Sequence, residues 1–159
     1  MRMRMLAVPA ALFSLPAQAQ PSARPAPVRW SAEASVPKVM QAGGRFTVLL
    51  QAAIEPGWHL YALPERDAFP LATEIALAKT NEADLLRVSQ EKPQHTVDPE
   101  SHIVTAWFAQ AAVFTLRLAS TSQHVPRDLQ VLVRYQACND RMCLPVRSEV
   151  VPVTLAAAR

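Results

Sequence analysis

Phe46-Thr47-Val48-Leu49-Leu50-Gln51-Ala52-Ala53-Ile54 decides the fold class. Phe46, Val48, Leu50, Ala52 and Ile54 take every second position, with Thr47 and Gln51 among the residues between them. Successive side chains of a strand point to opposite faces, so this spacing predicts a strand with one buried face. The period returns downstream. Phe114, Leu116 and Leu118 alternate with Val113, Thr115 and Arg117. Leu129, Val131, Val133 and Tyr135 alternate with Gln130, Leu132 and Arg134, and Val151, Val153 and Leu155 follow the same rule. Pro, Gly and Asn/Asp punctuate these runs, a pattern that predicts an all-β, antiparallel sandwich. Thr73 to Val88 departs from it. Ile75 and Leu77 predict a strand, but Asn81 followed by Glu82, Ala83, Asp84, Leu85 and Leu86 predicts a short helical turn behind an Asn cap. Glu91 to Ser101, with Pro93 and Pro99, reads as a loop.

The N-terminus sets the compartment. Arg2 and Arg4 precede an apolar run from Met5 to Leu15, and Ala17-Gln18-Ala19 is a small-x-small cleavage pattern. Residues 1–19 therefore read as a cleavable signal peptide. The run is shorter than the roughly 20 residues a spanning helix needs, and Pro9 and Pro16 disfavour an uncleaved helical anchor. The expectation is an exported periplasmic protein with no stable membrane insertion. Residues 20–29, with Pro21, Pro25 and Pro27, read as a disordered leader, and residues 30–159 as one domain. Losing Arg2 and Arg4 with the signal lowers the formal charge from +3 to +1. No basic stripe remains, which argues against nucleic acid as a partner. A monomer is expected.

The two cysteines, Cys138 and Cys143, lie in Tyr135-Gln136-Ala137-Cys138-Asn139-Asp140-Arg141-Met142-Cys143-Leu144-Pro145. In an oxidising compartment such a pair is disulfide-bonded by default. The Asn139-Asp140 turn signal lets a hairpin bring them together. A ring this small contributes roughly 2 kcal/mol of loop entropy, against 4 to 5 for a loop near a hundred residues. It is a poor staple, which makes it a candidate for redox exchange or metal binding. Arg141 favours a thiolate and Asp140 opposes it, so the neighbouring charges give no net direction.

Three blocks, taken in order, resemble a known family. They are Gly57-Trp58-His59-Leu60-Tyr61, the Asp98-Pro99 loop before the strand with Phe114, and the Tyr-Gln-x-Cys…Cys-x-Pro block from Tyr135 to Pro145. Together they resemble the N-terminal periplasmic domain of the thiol:disulfide interchange protein DsbD, over roughly Trp30 to Leu155. The resemblance implies an immunoglobulin-like fold and thiol–disulfide exchange with no organic cofactor beyond a redox-active disulfide. It implies a membrane thiol reductase as electron donor. The clients would be periplasmic thioredoxin-like proteins, including those of cytochrome c maturation, or disulfide isomerases. Cys138 and Cys143 match the family's redox pair, with Cys143 forming the intermolecular disulfide and Cys138 resolving it. His59 and Tyr61 match aromatic positions beside the cysteines, His59 replacing an aromatic residue. Tyr135 belongs to the cysteine block. The cap-loop segment from Asp98 to Ile103 carries no aromatic side chain, so either His102 or Ile103 covers the disulfide instead or the site is more open. Val146 stands where a second proline is often found. The family's transmembrane and C-terminal thioredoxin domains are not in this sequence, so a separate membrane protein would supply electrons, or the domain has another use.

Two other classes compete. Cys138, Met142 and Cys143, joined by His59 or His102, are soft ligands suited to Cu(I). Alternatively, a secreted sandwich could use the disulfide only to pin a hairpin. Scattered carboxylates and the lack of a nucleophile elbow give hydrolysis little support.

Overall fold

The computed structural model describes residues 26–37, 39–64, 72–78, 82–97, 99–100 and 102–157. The signal-peptide segment therefore lies outside the described residues, as do most of the leader, Asn81, Asp98 and Ser101. The strands are β1 (Val28–Val36), β2 (Arg45–Ile54), β3 (His59–Tyr61), β4 (Glu74–Leu77), β5 (Ala83–Gln90), β6 (Gln94–Val97), β7 (Val104–Ala109), β8 (Ala111–Ser120), β9 (Gln130–Tyr135), β10 (Ala137–Cys138) and β11 (Arg147–Ala157). They form a seven-stranded sheet, β4-β9-β11-β1-β2-β8-β5, and a four-stranded sheet, β10-β3-β7-β6. Neighbours run antiparallel except β1 and β11, which are parallel.

The core follows from the period of two. Val48 and Leu50 of β2, Phe114, Leu116 and Leu118 of β8, and Val131 and Val133 of β9 are fully buried. Leu60, Phe108 and Ala137 of the smaller sheet face the same core. Phe108 and Phe114 meet edge to face at 5.8 Å, and Trp30 packs on Phe114 at 6.0 Å and on Tyr135 at 5.3 Å. The Phe108–Phe114 contact joins the two layers of an immunoglobulin-like sandwich, and the Trp30 contacts fill the inner face of the larger sheet.

Three local expectations change. The helical turn expected after Asn81 is β5 instead, because Ala83, Leu85 and Val88 pair inward against Ser120, Leu118 and Leu116 of β8. Tertiary pairing overrides the helix propensity of a Glu-Ala-Asp-Leu-Leu run. Within the expected loop from Glu91 to Ser101, Gln94–Val97 pairs with Val104–Trp107 as a hairpin. Strand β1 begins at Val28, two residues before Trp30, because Val28 is buried opposite Ile54.

Phe114 is fully buried and in ring contact with both Trp30 and Phe108. Phe114→Ala should therefore cost about 3–5 kcal/mol, a large share of the roughly 5–15 kcal/mol of a typical domain. Urea denaturation of wild type and variant measures it. A loss under 1 kcal/mol would contradict this packing.

Candidate redox site

Glu55-Pro56-Gly57-Trp58 delivers the first site residues. Trp58 N donates to Glu55 O at 3.1 Å, and Gly57 has φ +79. Proline at the second position and a left-handed glycine at the third make this a type II turn. The chain leaving it forms β3, where Leu60 points into the core and His59 and Tyr61 point out, each half-buried.

The cysteine hairpin is built onto β3. Ala137 pairs with Leu60 and Cys138 with His59. Beyond Cys138 the chain turns back, and Cys143 bridges Cys138 from the outer side. Asn139 N donates to Met142 O at 2.9 Å, and Leu144 N donates to Ala137 O at 2.9 Å. These bonds flank the cysteines, which makes them the closely spaced, non-hydrogen-bonded kind of antiparallel pair. Their Cα atoms are 4.0 Å apart and a disulfide joins them. The Asn139 side chain holds the turn, its Oδ1 accepting from Arg141 N and Met142 N at 2.9 Å each. Gln136 Nε2 donates to Leu144 O at 2.7 Å and ties the two arms.

The two sulfur-bearing residues differ sharply in access. Cys138 is 1% exposed, whereas Cys143 is exposed. The Tyr61 hydroxyl lies 3.7 Å from Cys138 Sγ and donates to it, since a disulfide sulfur has no proton. Burial raises the Tyr61 pKa above its usual 10.0, which keeps the phenol a donor at neutral pH. Desolvation lowers the His59 pKa below 6.5, while the charge of Asp140 acts in the opposite direction. His59 is therefore held toward the neutral imidazole. Its ring centre lies 5.9 Å from that of Tyr61 and 5.4 Å from that of Trp107.

Beside the hairpin, a groove of about 290 Å³ is lined by His59, Tyr61, Thr96, Thr105, Trp107 and Asp140. Trp107 Nε1 donates to Thr96 Oγ1 at 3.0 Å, which fixes the indole. Sequence reasoning missed Trp107. Its signal is the alternation in β7, where Phe108 is buried and Trp107 falls on the face shared with Tyr61.

The remaining expected site residues lie elsewhere. Tyr135 points into the core against Trp30, and its hydroxyl donates to Glu149. Burial, reinforced by Glu149, pushes its pKa up to about 12. His102, with φ 56, and Ile103 lie just before Val104 in the β6–β7 hairpin. Val104 is five residues along β7 from Ala109, which is level with His59 and Cys138. Among the described residues, β3 contacts Cys138 through the Tyr61 hydroxyl and the His59 pairing. Among the described residues, no group of three or more His, Cys, Asp or Glu side chains gathers as metal ligands. No helix among them is long and apolar enough to cross a membrane.

An edge disulfide with one exposed and one buried cysteine, on an immunoglobulin-like sandwich, suits a thiol–disulfide exchange domain. The sequence matches the family described as thiol:disulfide interchange protein DsbD, N-terminal, over residues 27–155, and the chain belongs to that family. The N-terminal periplasmic domain of ScsB from Proteus mirabilis is similar with a TM-score of 0.50 at 19% identity, covering 85% of this chain and 48% of that one. The chain thus spans about half the length of that ScsB chain, and at this identity the likeness concerns the fold alone. The Neisseria meningitidis DsbD N-terminal domain in its reduced form has a TM-score of 0.44 at 15% identity, covering 73% of this chain and 82% of that one. The search of curated proteins gave no significant match.

The lowered His59 pKa carries a sign. Above pH 6.5 both folded and unfolded chains hold a neutral His59, and its contribution to stability is complete. As pH falls below 6.5 the unfolded chain takes up the proton first, so stability declines toward the lowered folded value. An NMR titration of the oxidised domain should place the His59 midpoint below 6.5, and Asp140→Asn should lower it further. A midpoint above 6.5 would contradict the desolvation argument.

Proposed function

We propose that the domain relays electrons in the periplasm, taking them from a membrane thiol reductase and passing them to thioredoxin-like proteins or disulfide isomerases. The observation that carries this reading is the asymmetry of the pair, with Cys143 exposed and Cys138 buried beneath Tyr61. Thiol–disulfide exchange needs an attackable sulfur and a protected one that resolves the intermediate. In the reduced domain the Cys143 thiolate attacks one sulfur of a client disulfide. That bond breaks, the first client thiolate leaves, and a mixed disulfide forms. Cys138 then loses its proton and attacks Cys143 Sγ. The domain disulfide is restored, the second client thiolate leaves, and two electrons have moved to the client. Recharging runs in reverse, with the donor's thiolate attacking Cys143.

The neighbouring groups suit the resolving step. Cys143 is exposed and Cys138 is buried, so in this reading Cys143 is the thiol a client meets first. Tyr61 can donate to Cys138 sulfur as negative charge develops on it. Neutral His59, paired with Cys138 across the strands, is available as a proton acceptor. In this reading residues 1–19 are the export signal, the Pro-rich residues that follow are a tether, and the exchange domain starts with β1 at Val28. The redox-active disulfide is the only cofactor.

Cys138→Ala should leave Cys143 able to form, but not to resolve, a mixed disulfide. Incubated with periplasmic extract and quenched with acid, it should accumulate a crosslinked thioredoxin-like partner, sensitive to dithiothreitol. Cys143→Ala should trap far less. Trapping only by Cys143→Ala would reverse the roles of the two cysteines. A disulfide that resists dithiothreitol until the domain unfolds would leave a purely structural bond.

A further inference from the structure

On the outer face of the seven-stranded sheet, three arginines converge on one groove of about 350 Å³, lined by Arg45, Thr47, Leu86, Arg87 and Arg117 with Phe46 beneath. We propose that Arg45, Arg87 and Arg117 form a phosphate-binding site, taking either the phosphate of an anionic phospholipid headgroup or free phosphate.

Register is the first support. Arg87 on β5 is the direct cross-strand partner of Arg117 on β8, which is in turn the partner of Thr47 on β2. Arg45 lies two residues from Thr47, on the same face. Like charges placed directly opposite on neighbouring strands are destabilising. The chain therefore holds an arrangement that a bound phosphate would relieve.

A bulge creates that arrangement. Leu85 pairs with Leu118, and the register then shifts so that Arg87 pairs with Arg117. Without the extra residue, Leu86 would oppose Arg117, and Arg87 would oppose the buried Leu116. The bulge thus turns Arg87 outward while keeping Val88 opposite Leu116. Bulges commonly re-aim a side chain in this way at functional positions.

The third support is the missing countercharge. Arg29 and Arg134 pair with Glu55 and Glu74, but among the described residues none of the three groove arginines has a carboxylate partner. Asp84, opposite Ala119, is the nearest acid by register; it pairs with none of them and does not line the groove. Charge on the edge strand β5 can also serve to block edge-to-edge pairing. That role does not account for Arg45 and Arg117, which lie on the inner strands β2 and β8. Nor does general basicity, given a net formal charge of only +3 for the whole chain.

Chemistry then selects the ligand. Guanidinium forks match the oxygens of a phosphate bidentately, whether it is the phosphodiester of a headgroup or the free ion. Leu49 and Leu86, exposed at 42% and 53%, lie beside the arginines and would sit well at a lipid interface.

The test uses two probes on the purified chain. In the first, inorganic phosphate is titrated and followed by amide NMR. Saturable shifts at Arg45, Thr47, Arg87 and Arg117 are expected, with binding about tenfold weaker in Arg117→Gln for each charge-assisted hydrogen bond lost. In the second, co-sedimentation is compared on phosphatidylglycerol and phosphatidylcholine vesicles. Retention on phosphatidylglycerol alone, lost in Arg87→Gln/Arg117→Gln and kept in the charge-matched Arg29→Gln/Arg134→Gln, identifies a lipid headgroup. Phosphate binding without vesicle retention identifies a free phosphate. The proposal is overturned if neither probe binds, if the control variant loses as much as the groove variant, or if phosphate shifts amides elsewhere in the wild type. The last readout needs no variant to fold.

Discussion

Ala137 pairs with Leu60 and Cys138 with His59, and through these two rungs the cysteine hairpin becomes an edge of the smaller sheet. Much of the site geometry follows from this pairing. It sets Cys138 against β3, where the outward Tyr61 reaches its sulfur. It also leaves Cys143 on the far side of Cys138, away from the core and open to a partner. Edge strands usually carry devices that prevent pairing with another chain. Here the outer arm is only a single bridge, closed by a disulfide and a side-chain-capped turn. A partner can reach the sulfur without adding a strand.

The Tyr-Gln-x-Cys block divides its work between core and site. Tyr135 anchors the end of β9 against Trp30 and Glu149. Gln136 reaches across to Leu144 and sets the approach of the second arm. Ala137 is small and buried, which lets β10 lie close to Leu60. Cys138 therefore arrives at its position from a fixed base, although its ring with Cys143 closes only a short loop. This explains how a disulfide that adds little to global stability can still be held in a defined orientation.

The period of two made the long strands β2, β8 and β9 legible, because each has one buried face and one wet face. The cysteine hairpin was legible from its turn residues, and the pairing of His59 and Tyr61 on one face from their spacing. Other features were not. The run at Ala83 to Leu86 carries helix formers, and only its inward pairing with β8 makes it a strand. Strand β6 is exposed along its whole length, so it has no buried face to leave a pattern. Trp107 enters the site through the register of β7 against β3, a long-range pairing that local periodicity does not encode. Tyr135, beside the cysteines in sequence, turns into the core because the alternation of β9 continues through it.

Burial and charge divide the labour around the disulfide. The same desolvation that raises the Tyr61 pKa lowers that of His59, so both groups are biased toward their neutral forms. A neutral phenol can donate a hydrogen bond and a neutral imidazole can accept one, so both can orient the buried sulfur without themselves carrying a charge. A cationic His59 would instead favour the thiolate of Cys138 and draw the nucleophile inward, away from the exposed sulfur. In the proposed relay, a neutral His59 would leave the exposed Cys143 as the attacking thiol and the buried Cys138 as the latent one. In that proposed relay the half-buried setting of β3 would favour this order of attack and resolution, and Asp140 would oppose it by holding the His59 pKa closer to its usual value.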